Sequence, residues 1–164
     1  MRFHLKNLFS GEPIAYRSRV IPTRPLGAGV GVTSAPVLIK NAEQFNSFVD
    51  GTRYGWQWDQ ARLDELFKKY KASFFENRVL AAGVVSAGSG STRVTVSNVI
   101  KTDTGVQIIL RLESPEIGTT DMMSWHYFVE LLAEDVGDGD VSTNLPVSKG
   151  RSRRGFPDVI VADR

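Results

Sequence analysis

The sequence predicts an α+β fold: an antiparallel β-meander forming a small sandwich-like sheet, with one or two short helices, flanked by extended N- and C-terminal arms. Two observations lead there. From residue 78 onward, apolar and β-branched residues fall into short runs of period two separated by turn residues. Between residues 41 and 71 the apolar spacing is that of a helix instead.

Taken in order, residues 1–34 carry Pro13, Pro22, Pro25 and Gly27-Ala28-Gly29-Val30-Gly31 without a sustained period, and read as an extended basic arm. Asn41 can cap a helix near 41–49, where Phe45, Phe48 and Val49 recur at i, i+3 and i+4 and Gln44 can reach back, with Gly51 as the stop. A second helix spans 60–71, capped by Asp59, with Leu63, Leu66, Phe67 and Tyr70 on one face. Asp64–Lys68 and Glu65–Lys69 pairs line the other face.

Residues 78–85 form a mostly apolar strand and 93–100 a β-branched one; in the third, Val106, Ile108, Leu110 and Leu112 alternate with polar neighbours. Ser89-Gly90-Ser91 breaks the first pair, and Asp103-Thr104-Gly105 supplies a hairpin between the next two. Residues 124–133 suit either period, and their aromatic and β-branched density favours a strand. The core domain is therefore 35–136, resting on Val79, Leu80, Val94, Val96, Ile108, Leu110, Trp125 and Val129, and 137–164 is a C-terminal loop and basic arm.

At 164 residues the chain suits a single domain, long enough to bury roughly two-thirds of its unfolded surface. Without cysteine there is no disulfide framework, thiolate metal site or cysteine nucleophile. No apolar run approaches the roughly 18 residues of a membrane span, and Asn7, Ser10, Glu12 and Pro13 interrupt any signal-like start. The compartment stays open, and no cofactor is expected. Charge is unevenly spread: residues 1–40 hold six basic side chains and one acidic, residues 149–164 five and two, and the stretch between them nine and fifteen. Two basic arms thus flank an acidic centre.

The stretch Phe74-Phe75-Glu76-Asn77-Arg78-Val79-Leu80, the Ser/Gly turn at 86–91, two alternating strands, Ser114-Pro115 and the strand Trp125-His126-Tyr127-Phe128-Val129 resemble the C-terminal domain of protease-complex subunit PrcB. The resemblance covers roughly residues 60–135, with Ser89-Gly90-Ser91-Thr92 where the family usually has a turn closer to Thr-Gly-Gly-Tyr. It implies an exported, noncatalytic accessory module.

The residues themselves offer little chemistry. His4 and His126 are the only histidines, too few for a zinc site without several carboxylates. A hydrolase could draw on His126 and Asp121, yet neither Ser86 nor Ser89 sits in a Gly-x-Ser-x-Gly turn. The glycine segments lack dinucleotide spacing and the phosphate-loop lysine. Asp138, Asp140 and Ser142 alternate like calcium ligands, but Thr143 stands where the calcium loop needs glycine.

Protein binding is the function expected, and two groups of residues are its candidates. Tyr54, Trp56 and Trp58 alternate, so an extended backbone turns all three the same way. Arg17, Arg19 and Arg24 in one arm, and Lys149, Arg151, Arg153 and Arg154 in the other, are placed to contact neighbouring subunits. Nucleic acid is the minor reading, since no aromatics interleave the basic run. The expectation is a non-enzymatic structural or accessory subunit of a larger complex, such as a virion shell or a surface assembly, in which copies of the chain could be partners. The alternative is an exported protease-complex subunit or inhibitor acting through the loops 86–91 and 115–121.

Overall fold

The structure is a computed structural model that describes residues 11–26, 33–118 and 121–145. Among the described residues nine strands form two sheets. One has four strands in the order β1 (Glu12–Pro13), β6 (Arg93–Thr102), β7 (Gly105–Glu113), β9 (Asp140–Thr143). The other has five, in the order β3 (Val37–Ile39), β5 (Arg78–Ala87), β8 (Met123–Leu132), β2 (Arg17–Pro25), β4 (Trp56–Gln57). Three helices accompany them: α1 (Ala42–Thr52), α2 (Gln60–Lys69) and the single turn α3 (Ala133–Val136).

The centre of the molecule is the antiparallel pair β5–β8, in register from Arg78 opposite Leu132 to Ala87 opposite Met123. Val79, Ala81 and Val85 of β5 and Trp125, Tyr127, Val129 and Leu131 of β8 point at the four-stranded sheet, where they meet Val94, Val99, Val106, Ile108 and Leu110. The alternate residues Leu80, Ala82 and Phe128 point the other way, into a second core with Ile21, Ile39, Phe45, Val49, Leu63 and Leu66. The molecule is thus layered sheet, sheet, helices. A strand buried on both faces loses period two and reads as a continuous apolar run, which explains the composition of 78–85.

The helices arise where the spacing predicts. Asn41 Oδ1 accepts the Gln44 N–H at 2.8 Å, and Gln44 Oε1 accepts the Lys40 N–H at 2.8 Å. Asp59 Oδ1 caps α2 by accepting the Ala61 N–H at 3.0 Å. Phe45 anchors the layer, edge-on to Phe67 at 5.6 Å and to Tyr70 at 5.3 Å between ring centroids. Each such ring contributes about 1.5–3 kcal/mol by leaving water. α1 runs past Gly51 to Thr52.

Four expectations are corrected. First, β5, β6, β7 and β8 do not form a meander: β5 pairs with β3 and β8, and the chain crosses to the other sheet for β6 and β7 before returning. The 88–92 connection is long enough to change sheets, whereas the Asp103-Thr104 turn closes the β6–β7 hairpin as expected. Second, the N-terminal arm is not an arm over Arg17–Pro25, which is strand β2, paired with β8 from Arg17 opposite Glu130 to Thr23 opposite Ser124. Pro22 and Pro25 read as breakers, but among the described residues only the two-residue β4 pairs with the outer side of β2, at Arg24 and Pro25, and Pro22 has no partner strand on that side. A proline costs no ladder bond on such an open side.

Third, part of the expected C-terminal loop is β9, which pairs in parallel with β7 from Gly105 opposite Asp140 to Ile108 opposite Thr143. Asn144 then extends this edge with its side chain, its Oδ1 accepting the Leu110 N–H at 2.8 Å and its Nδ2 donating to the Leu110 carbonyl at 3.1 Å. Fourth, the core therefore reaches beyond 35–136 at both ends. Residues 1–10, 27–32 and 146–164, where the rest of both expected arms falls, lie outside the described residues.

Gly83 faces Tyr127 across the central pair. A Cβ at Gly83 would meet the Tyr127 hydroxyl and lie 2.6 Å from Cζ, so the phenol ring occupies the space that a side chain would need. We expect Gly83→Ala to cost about 1–3 kcal/mol through overpacking, read as a lowered urea midpoint. Gly51→Ala, in α1 with nothing near its missing side chain, should be neutral or gain up to about 1 kcal/mol. Equal effects would show that the Tyr127 ring can move aside.

Candidate functional site

β2, β5 and β7 all finish at one end of the sandwich, at Pro25, Ala87 and Glu113, and β8 and β6 start there, at Met123 and Arg93. Two loops meet at this end. The Gly90 N–H donates to Asp121 Oδ1 at 3.4 Å, and a Cβ at Gly118 would lie 2.6 Å from Ser89 Oγ, so 114–118 lies against the 88–92 loop. Beneath them Thr92 is buried, its hydroxyl 3.0 Å from that of Ser114. The turn after α1 reaches the same end, because the Leu26 N–H donates to the Gly55 carbonyl at 2.9 Å.

Six large apolar side chains are exposed among the described residues, and five of them are here: Leu26, Tyr54, Leu112, Ile117 and Met122, with Val37 in β3 the exception. Tyr54 and Ile117 are each 89% exposed, more than any of the others. Single exposed apolar residues are ordinary, and among the described residues most of the large ones are carried by the elements and loops that meet at this end.

The residues singled out in the sequence divide between this end and elsewhere. Trp56 and Trp58 face the same way, as their spacing predicts, and both rings contact His126, at 5.1 and 4.5 Å between centroids. Trp58 also donates from Nε1 to Thr52 Oγ1 at 2.9 Å, tying it to α1. Tyr54 does not share their face as a platform, because a turn at Arg53–Gly55 leaves only Trp56–Gln57 extended. Arg24 lies opposite Gln57, beside the loop end. Arg17 and Arg19 sit further down β2, where Arg19 pairs with Glu65 of α2 at 3.8 Å. Lys149, Arg151, Arg153 and Arg154 lie outside the described residues.

The side chains considered for hydrolysis each have a hydrogen-bond partner of their own. Ser86 Oγ is 2.8 Å from Ser124 Oγ, His126 Nδ1 is 3.0 Å from Thr23 Oγ1, and Asp121 takes part in the loop contact described above. No group of three or more His, Asp or Glu side chains is placed to share a metal ion among the described residues. The other buried polar cluster is also internal: Tyr70 donates to Glu130 Oε2 at 2.8 Å, and Lys69 Nζ lies 3.5 Å from the same oxygen. Burial, then the Glu130 hydrogen bond, raises the Tyr70 pKa.

Leu26, Ile117 and Met122 were not singled out from the sequence, and Leu112 was read as part of the apolar face of a strand, where it is exposed near the strand's end. The available signal was Ile117 inside the polar loop Ser114-Pro115-Glu116-Ile117-Gly118, where an apolar side chain has no core to enter. No family model, curated protein or solved structure matches the chain.

His126 is fully buried, and desolvation pushes its imidazole down to about 3 from an ordinary 6.5, because a low-dielectric site disfavours the charged ring. The unfolded chain takes up this proton near pH 6.5, and the folded chain not until about pH 3. Stability from this group is complete above the upper value and is lost as pH falls through the window, at about 1.4 kcal/mol per pH unit. Urea midpoints measured from about pH 7 to about pH 4 should therefore fall more steeply in the natural chain than in His126→Phe. Parallel slopes would show that the ring titrates freely in the folded state.

Proposed function

We propose that the chain is a non-enzymatic accessory or structural subunit that binds other proteins through the loop end of its sandwich. The observation that carries this reading is the gathering of five of the six exposed large apolar side chains at that end. Apolar and aromatic side chains on a rigid scaffold are what protein interfaces use as anchors. The β strands supply the scaffold, and the touching loops 88–92 and 114–118 hold Ile117 out from it. Arg24, beside Gln57, adds a cation at the rim, where charge guides encounter more than it adds affinity.

A second reading, the exported protease-complex subunit or protease-directed inhibitor acting through the loops 86–91 and 115–121, is favoured by one feature: Gly118 lies against Ser89 and Asp121 accepts from Gly90, with Ile117 exposed beside them. It uses the same surface and differs in the partner. The resemblance to the PrcB C-terminal domain belongs to this reading.

A photo-reactive residue placed at 54 or 117 should cross-link a partner protein, and one placed at 37 should not. Against that partner, Ile117→Asp should weaken binding about 30-fold or more, the value of a hot-spot side chain worth about 2 kcal/mol, without lowering the melting temperature. Cross-linking as strong from position 37 as from 117, or full binding by Ile117→Asp, would reject the loop end as the contact surface. If the partner is a protease, inhibition lost in the same variant selects the second reading.

A further inference from the structure

Among the described residues the outer edge of β2 is open over most of its length. β8 occupies the inner side from Arg17 to Thr23, whereas on the outer side β4 covers only Arg24 and Pro25. Past Gln57 the chain turns away through the Asp59 cap into α2. Successive residues of a strand turn their backbone groups to opposite edges. The Leu26 N–H donates to the Gly55 carbonyl, and Arg24 lies opposite Gln57, so the even-numbered residues of β2 face outward. Ser18 and Val20 therefore each present an N–H and a carbonyl to the open side, and Pro22 presents a carbonyl alone.

Cations line this edge. Arg17 and Arg19 lie opposite Glu130 and Phe128 of β8, and Arg24 stands where β4 begins to cover the strand. Among the described residues neither Arg17 nor Arg24 has an ion pair. The contact of Arg19 with Glu65 at 3.8 Å joins two solvent-exposed side chains, so it is worth little and yields to another carboxylate. Glu130 is already taken, by Lys69 Nζ and by the Tyr70 hydroxyl. Charges and a proline on an edge strand keep two copies of a chain from pairing there, since here pairing would bring two sets of arginines together. The same charges favour a strand of opposite sign.

We propose that the β2 edge takes up an extended acidic segment of a partner protein as an added strand alongside Arg17–Pro22. Backbone hydrogen bonds to Ser18, Val20 and Pro22 hold the segment, and its carboxylates meet Arg17 and Arg19 on the helix-facing side. Main-chain bonds of this kind supply affinity, while the alternate side chains supply selectivity. The edge runs along the flank of the five-stranded sheet, so this surface is additional to the loop end and does not depend on it.

The probe is a short capped peptide alternating glutamate and valine, added to the isotope-labelled full chain. The amide signals of Ser18 and Val20 should shift and exchange more slowly with solvent, while those of Arg93 and Thr95 in the other sheet stay as they were. A lysine–valine counterpart should not bind. Ser18→Pro removes an outward N–H that no ladder bond uses, and should weaken the peptide about five- to tenfold, the value of one hydrogen bond, at an unchanged melting temperature. Arg17→Glu combined with Arg19→Glu should reverse the preference to the lysine peptide. Equal binding of the two peptides, full binding by Ser18→Pro, or no shift at Ser18 and Val20 would overturn the proposal. So would slow exchange of these two amides in the chain alone, which would mean that the edge is already covered: by a second copy if dilution removes the protection, by the same chain if it does not. Ile117→Asp should bind the peptide as the natural chain does, so the edge and the loop end stand or fail separately.

Discussion

The register of β5 against β8 is the constraint on which the other contacts depend. These ten residue pairs divide their side chains between two cores, one shared with the four-stranded sheet and one with the helices. A slip of one residue would exchange the faces. It would turn His126 and Glu130 into the dry space between the sheets and set Tyr127 against the helices. The phenol ring of Tyr127 over Gly83 opposes that slip, since only a residue without a side chain leaves room for it. Aromatic cover of a strand glycine is a recognised means of pinning register.

The polar residues of β8 follow from the same division. Ser124, His126 and Glu130 are all on the helix-facing side, and each has a partner from another element: Ser86 in β5, Thr23 in β2, Tyr70 at the end of α2. Buried polar groups are tolerable when they are hydrogen-bonded and costly when one partner is removed. These contacts tie β2 and α2 to the central pair at specific heights. They also place Trp56 and Trp58 over His126, which positions the turn that carries Tyr54. The loop end is therefore presented on a rigid base, and its exposed side chains are held out by strands that stop beneath them.

Legibility from the sequence was uneven, for physical reasons. Both longer helices, their Asn41 and Asp59 caps and the β6–β7 hairpin depend on contacts within a few residues, and they were predicted closely. The aromatic strand Met123–Leu132 was also legible. Of the predicted core residues, Val96 alone is only half-buried, because a bulge between Val96 and Asn98 shifts the ladder there. The β2 strand was missed because two prolines look like breakers when it is unknown which side of the strand has a partner. β9 was missed because four residues paired in parallel with a distant strand leave no local pattern. Trp56 and Trp58 were recognised as facing one way, whereas Tyr54 is separated from them by a turn.

By itself the sequence determined the local elements, a chain without cysteine chemistry, the alternation of Tyr54, Trp56 and Trp58, and the gathering of basic residues toward both ends. The tertiary structure decided which strands pair, that a supposed arm supplies β2 beside β8, and that Leu26, Tyr54, Leu112, Ile117 and Met122 share one end. These five are spread over almost a hundred residues of chain, and nothing in their spacing relates them. Their common end comes from the pairing of β5 with β8 and of β8 with β2, and from the crossings between the two sheets, which no short window of sequence contains. A surface assembled from loops is legible only once the sheets that end beneath it are known, because those sheets fix where each loop begins.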